Sequence, residues 1–308
     1  MRRPKDYLLL YFKGVGVGVG SIIPGVSGGT IAFLTNVYEE LIVTLRAIDR
    51  TSFRLFFTLQ LSTFWEKING NFLVCILAGI VTSVLTLFNV INYVHTNYPI
   101  SVSSFFFGMI IVSTPLVLRE IKKWEFVTIL LFTVGLASAY LITVIPFAET
   151  PNTLYFIFLC GAVTVSATML PGVSGVFMLL LLGKYEFLIM SITNFDIAVI
   201  AAFLLGWLIG LAGFSRLLAF MLLNFRFPTL ALLAGIMIGS LNKLWPWKII
   251  TGFRFDLEGI QMPAFEKSVW PGQFDKDPHL FHAILFAALG IFLVVAIEKI
   301  AAFIKSKN

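Results

Sequence analysis

Long apolar runs, separated by short polar stretches, set the pattern of this chain. Six of them, at 72–94, 103–118, 126–146, 196–217, 229–244 and 280–303, run for 16 residues or more. At 1.5 Å of rise per residue such runs approach or exceed what a hydrocarbon core of about 30 Å requires. Each is therefore expected to form a membrane-spanning helix. Two further apolar stretches, Gly14–Ile42 and about 153–190, are interrupted midway by the same five residues, PGVSG. Proline and glycine break a helix, and a break at membrane depth is tolerated only where the freed backbone lines a cavity or is buried in protein. From Gly14 to Ile23 is ten residues, about 15 Å of helix, which ends near the bilayer midplane. These two stretches read as re-entrant helical hairpins.

The hairpins belong to an internal repeat. At an offset of 147, Pro24-Gly25-Val26-Ser27-Gly28 matches Pro171-Gly172-Val173-Ser174-Gly175, and Tyr38, Glu39, Leu41 and Ile42 match Tyr185, Glu186, Leu188 and Ile189. Upstream, Gly14 pairs with Gly161. Downstream the offset shortens to 127, aligning Gly79/Gly206, Asn97/Asn224, Gly108/Gly235 and Ser113/Ser240, and Gly135 and Gly290 take equivalent places in the last helix of each half. The expected fold class is an all-α polytopic membrane protein, one transmembrane domain over 1–308. Repeat one covers about 7–146 and repeat two about 153–304, each a hairpin followed by three transmembrane helices.

Composition and charge sharpen this picture. The chain is 58% hydrophobic and 12% charged, with a mean hydropathy of +0.95, whereas soluble domains are nearer half apolar and a quarter charged. Soluble enzymes, disulfide scaffolds and disordered chains are excluded. The net charge of +6 is spread over the ends of the apolar runs, which argues for the positive-inside rule and against nucleic acid as a partner. With hairpins that return to their own side, 16 of the 22 Lys and Arg residues fall on the cytoplasmic side, together with both termini. Three crossings per half then give the two halves inverted topology. Cys75 and Cys160 lie in apolar runs without metal or redox spacing and read as buried thiols. His95, His279 and His282 form no metal-ligand pattern, and no catalytic triad is legible, so neither metal nor catalytic residues are expected.

The chemistry sits at the interruptions. Glycines permit a turn whose N–H groups converge, and Ser27, Thr30 and Ser174 are placed to cap the following half-helix, whose positive end favours an anion. The candidate phosphate-binding residues are Pro24, Gly25, Ser27, Gly28, Gly29, Thr30, Pro171, Gly172, Ser174 and Gly175; the plain alternative is a pair of packing kinks. Glu39, Glu40 and Glu186 follow two to three helical turns later. They read either as interfacial caps or, for the repeat-equivalent Glu39 and Glu186, as coupling sites for H+ or Na+. No other cofactor is expected. Gly14–Gly20 (GVGVGVG) has the spacing of close helix packing and misses a dinucleotide fingerprint. Arg46, Arg50 and Arg54, at i, i+4, i+8 beside Phe53, Phe56, Phe57, Phe64 and Trp65, read as an interfacial amphipathic helix with a secondary capacity for anionic headgroups. Trp245, Trp247 and Trp270, in the outer loop of about 245–279, read as belt anchors.

At PGVSGGTIAFLTNVYEELI and MLPGVSGVFMLLLLGKYEFLI the chain resembles the bacterial polyprenyl-phosphate transporter family, the PopT-like group. Gly235–Pro246 (GIMIGSLNKLWP) resembles a late motif of the same family, so the likeness covers nearly the whole chain. It implies a flippase-type transporter of the cytoplasmic membrane, not an enzyme. Its implied task is to return undecaprenyl phosphate from the outer to the inner leaflet for cell-wall synthesis. Ser21 stands where the family often has Asp, and Val176 where it often has Ser. The readings set against this one are a polyprenyl-diphosphate phosphatase, which lacks a histidine or carboxylate beside Ser27 or Ser174, and a transporter of a small soluble anion. Nothing in the sequence fixes the oligomeric state.

Overall fold

A computed structural model describes residues 2–23, 26–145, 148, 150–255 and 261–306. Helices α1 (Pro4–Ile22) and α2 (Gly28–Leu34) flank the first interruption, and α3 (Tyr38–Arg46) follows. Pro4 sits in the first turn of α1, where its missing N–H costs nothing, and Asp6 accepts from the Arg3 backbone N–H at 2.7 Å. Two short helices, α4 (Arg50–Phe57) and α5 (Leu61–Lys67), lead to α6 (Gly70–Asn97), α7 (Pro99–Arg119) and α8 (Phe126–Val144). The plan then recurs. Helices α9 (Leu154–Met169), α10 (Gly175–Leu181) and α11 (Tyr185–Thr193) surround the second interruption, and α12 (Ile197–Asn224), α13 (Arg226–Leu244) and α14 (Leu280–Ser306) follow. Among the described residues, six helices have the length and hydropathy of membrane spans: α6, α7, α8, α12, α13 and α14. They are the six expected from the apolar runs.

The structure corrects several boundaries. Helix α1 begins at Pro4, ahead of the Gly14 start of the apolar stretch, and contains Lys13, whose ammonium reaches the Thr35 carbonyl at 2.7 Å. The return legs are shorter than expected. Asn36 (φ 56°) and Gly183 (φ 63°), at equivalent positions, end α2 and α10 in the left-handed region, and α10 and α11 diverge by 101°. Glu39, Glu40 and Glu186 therefore open new helices instead of lying along the return legs. Helix α12 runs on to Asn224, which places Arg216 within it. The Arg46–Arg50–Arg54 stripe is split, since Asp49 caps α4 by accepting from Ser52 N–H at 2.8 Å and leaves Arg46 on α3. Cys160 is buried, but Cys75 only partly. Within the outer loop, β1 (Lys248–Phe255) and β2 (Gln261–Ser268) pair as an antiparallel ribbon, an addition to an otherwise helical chain.

The chain divides into two compact units, Met1–Ile91 with Glu149–Arg226, and Asn92–Ala148 with Phe227–Asn308. In the first, each hairpin packs on the long helix of its own repeat through glycines. A β-carbon would lie 2.3 Å from the Ile76 carbonyl oxygen if placed on Gly14, and 2.2 Å from that of Tyr11 if placed on Gly79. At Gly161 and Gly206 it would lie 2.2 Å from Phe203 O and 1.8 Å from Phe158 O. These are the same joints shifted by the repeat offsets, and they admit no side chain. In the second unit the joints run across the repeats. Gly108 meets Ala287 O and Gly290 meets Phe105 O, joining α7 to α14, while Gly235 meets Phe132 O and Gly135 meets Leu232 O, joining α13 to α8. Of the four helices here, α7 and α13 are the more buried, at 61% each against 17% for α8 and α14.

Also in the second unit, the ribbon is tied to the end of α13. Trp245 packs edge-on against Trp247, Trp270 and Phe107 at 5.5–5.8 Å and donates its indole N–H to Val269 O at 2.7 Å. Asn242 accepts from the Ser268 hydroxyl at 2.9 Å, and Glu266 lies 3.1 and 3.5 Å from the ammonium groups of Lys243 and Lys248. Burial lowers the Lys248 ammonium to a pKa of about 8. The three tryptophans thus pack on one another.

Candidate functional site

The two interruptions meet within the first unit. Ser27, the N-cap of α2, accepts from Gly29 N–H at 3.1 Å and donates its hydroxyl hydrogen to Leu170 O of the other hairpin at 3.0 Å. Thr30 accepts from Gly172 N–H at 2.8 Å. Gly172 has φ 91°, a conformation a side chain would strain, and this turn aims its N–H at Thr30. Pro171, Gly175 and Gly28 are buried beside them, and Gly29 is half-buried. Ser27 and Thr30 are each 2% exposed and Ser174 5%. Ser174, the N-cap of α10, accepts from Phe177 N–H at 3.5 Å, the limit of hydrogen-bond reach, so its hydroxyl is the loosest held of the three. Pro24 and Gly25 lie outside the described residues.

The glycines divide into two roles. A β-carbon on Gly28 would sit 2.2 Å from the Ser21 hydroxyl and 2.9 Å from Val17 O; on Gly175, 2.7 Å from both the Thr168 hydroxyl and Thr164 O. These positions are repeat-equivalent: the last glycine of each PGVSG lets the following half-helix lie against the preceding one. Gly29 differs. Its β-carbon would face Thr168 O at 3.1 Å and Leu170 O at 3.3 Å, both on the opposite hairpin. Its counterpart is Val176.

Other residues of the site escaped the sequence pattern. Tyr38, 2% exposed, donates its phenol to Met169 O at 2.8 Å, a third bond between the hairpins; its repeat mate Tyr185 is 38% exposed. Identity at both positions signalled a shared role, and only packing separates them. At the far ends of the half-helices, carbonyls at equivalent places receive unlike donors: Lys13 for Thr35 O, the Thr150 hydroxyl for Leu182 O at 2.6 Å. Lys184, buried over the rings of Phe156 and Phe187, donates to Thr150 O and to the Asn152 side chain at 2.5 and 2.6 Å. A lone cation amid an apolar run was the signal for Lys13. The structure does not bring the carboxylates to the tips. Glu39 pairs with Arg226 at 2.7 Å, Glu40 with Arg2 at 2.5 Å and with Asn69 at 2.8 Å, and Glu186 stands half-exposed at the start of α11.

Span-length apolar helices and two interrupted hairpins joined at their tips define a polytopic membrane protein. Sequence comparison gives its family. Residues 17–262 match the VCA0040-like family, described as undecaprenyl phosphate translocase-like, and the chain belongs to it. It is 35% identical over 300 residues to a polyprenyl-phosphate transporter of Vibrio cholerae, covering 96% of this chain and 97% of that protein. It is 31% identical over 252 residues to a polyprenyl-phosphate transporter of Staphylococcus aureus, covering 76% and 84%. No solved structure matches significantly.

Proposed function

We propose that this protein transports a polyprenyl phosphate, binding the headgroup at the joined hairpin tips while the prenyl chain stays among lipid. The single observation that carries this reading is the meeting of two sequence-distant hairpins through buried polar groups, Ser27 on Leu170 O and Thr30 on Gly172 N–H, with buried Ser174 two residues further along the same turn. Family membership supports the substrate class. In the joined arrangement the Ser27 hydroxyl hydrogen is spent on Leu170 O and the Gly172 N–H on Thr30. Headgroup binding therefore exchanges those two bonds for bonds to phosphate, with the Ser174 hydroxyl the first available donor.

Two inverted repeats, each with a re-entrant hairpin, give the site access from either leaflet in turn. The matched glycine joints support the repeat. In the bacterial cytoplasmic membrane the direction would be outer to inner leaflet, recycling the carrier lipid for wall synthesis. A phosphate monoester bears between one and two negative charges near neutral pH. Carrying it inward costs about 2.3 kcal/mol per charge per 100 mV, which a co-transported H+ or Na+ would offset, with Glu39 and Glu186 as acceptors. Titrating purified protein with undecaprenyl phosphate, undecaprenyl diphosphate and inorganic phosphate tests the site. Ser27→Ala and Ser174→Ala should each weaken binding of the monophosphate lipid by about 1.5–3 kcal/mol, the worth of a hydrogen bond to a charged group. Unchanged affinity in both folded variants would reduce the tips to packing kinks.

A further inference from the structure

The α4–α5 segment is short and polar at its edges, unlike the long apolar helices of its unit. It makes almost no core: only Ser52 of α4 is buried, and none of α5. Its apolar residues point outward, with Phe53 56%, Phe57 78% and Leu59 80% exposed. The segment is nonetheless held in place at its edges. Asp49 accepts from Lys67 at 2.5 Å and from Ser52 N–H, bonds that hold its carboxyl at a pKa of about 2. Trp65 lies so flat on Gly70 that a β-carbon there would fall 2.3 Å from its ring, and its indole N–H donates to Asn71 at 2.8 Å. Phe56 and Phe64 join the two helices at 5.4 Å between ring centres. The bare face is therefore a fixed surface.

Two features say what covers it. Along α4, Arg50, Phe53, Arg54 and Phe57 follow i, i+3, i+4, i+7, so two exposed guanidinium groups and two aromatic rings share one face. From Arg46 to Lys67 there are four cations and two carboxylates, and one carboxylate, Asp49, is already held by Lys67. The turn between the helices also places Leu59 at φ 57°. Leu59, like Phe195 (φ 54°) and unlike Asn36 and Asn69, holds a large apolar side chain in this disfavoured conformation. A strained, outward leucine is accounted for by an apolar phase that receives it. We propose that α4 and α5 lie in the interface of the adjacent leaflet, sinking Phe53, Phe57 and Leu59 among acyl chains while Arg50 and Arg54 bind anionic phospholipid headgroups. This surface is independent of the transported substrate.

The test uses the whole protein in nanodiscs, with a single cysteine at Leu59→Cys or, to spare the strained turn, Phe57→Cys, labelled with bimane after Cys75→Ser and Cys160→Ala. Bilayers of phosphatidylcholine carry equal fractions of either brominated phosphatidylglycerol or brominated phosphatidylcholine. Both should quench the label, and the anionic lipid should quench at several-fold lower mole fraction. Arg50→Gln with Arg54→Gln should abolish that preference, since each arginine contributes at most about fivefold, the ratio equivalent to about 1 kcal/mol per basic residue at a charged surface. Absence of quenching at both positions, from burial in water or under a second copy, would overturn the proposal. So would equal quenching by the two lipids, or a preference that survives loss of both arginines.

Discussion

Tyr38→Phe isolates the contact between the hairpins. The substitution keeps the ring and removes one hydroxyl, whose only recorded bond is to Met169 O at 2.8 Å. Because Tyr38 is 2% exposed, water cannot replace the lost donor, and the Met169 carbonyl is left unsatisfied at a cost of about 1–3 kcal/mol. For a unit of this size each kcal/mol corresponds to about 2–4 °C in Tm, so the variant should melt several degrees below the wild type in detergent. Tyr185→Phe, at the equivalent place in the second repeat, is the control. Its side chain is 38% exposed, and the same deletion there should change Tm by less than about 1 °C, in keeping with surface substitutions. Thermal unfolding followed by intrinsic fluorescence or by cysteine accessibility reads both. Equal shifts in the two variants, or none in either, would refute the argument that the hairpins are joined through this tyrosine.

Gly172→Val should lower lipid-phosphate affinity more than Ser27→Ala does, because a β-branched residue cannot hold φ 91° and the N–H that reaches Thr30 would turn away; titration of the folded variant measures it. Glu39→Gln and Glu186→Gln should retain binding but remove the dependence of reconstituted transport on pH or sodium. The broken Glu39–Arg226 pair, nearly half exposed on both sides, should cost less than about 1 kcal/mol of stability. Inward transport that already ignores pH, sodium and voltage in the wild type would return both carboxylates to the role of caps. A cysteine at exposed Thr51 should react with an impermeant reagent only from the cytoplasm, and one at exposed Gln273 only from outside; labelling of both from one side would remove the inverted arrangement.

The long helices were legible because hydropathy over twenty residues is a strong, local signal, and all six spans fall where the apolar runs put them. The repeat was legible for the same reason: glycines that must touch a neighbouring backbone cannot drift, so Gly14, Gly79, Gly161 and Gly206 keep their spacing. What the pattern could not reveal were contacts whose partners lie far apart in sequence. The bond from Tyr38 to Met169 and that from Lys13 to Thr35 depend on how the hairpins dock, and Tyr38 looks identical to Tyr185 until burial distinguishes them. Short breaks were missed where a single residue decides: Asp49 as a helix cap, Asn36 and Gly183 as left-handed turns. The ribbon escaped because neither KIITGFRF nor QMPAFEKS alternates cleanly and the second carries a proline, which argues against a strand.

The joint between α7 and α14 bears on how the chain is made. Gly108 fits against Ala287, a residue that leaves the ribosome 179 positions later. At about 5–20 residues per second, that face of α7 waits on the order of 10–40 s in the bilayer before its partner exists. Until then Gly108 has no backbone to pack against. The order of assembly is thereby constrained: the helices of the first unit are all present once α12 has emerged, whereas the joint of the second cannot close until α14 has been made.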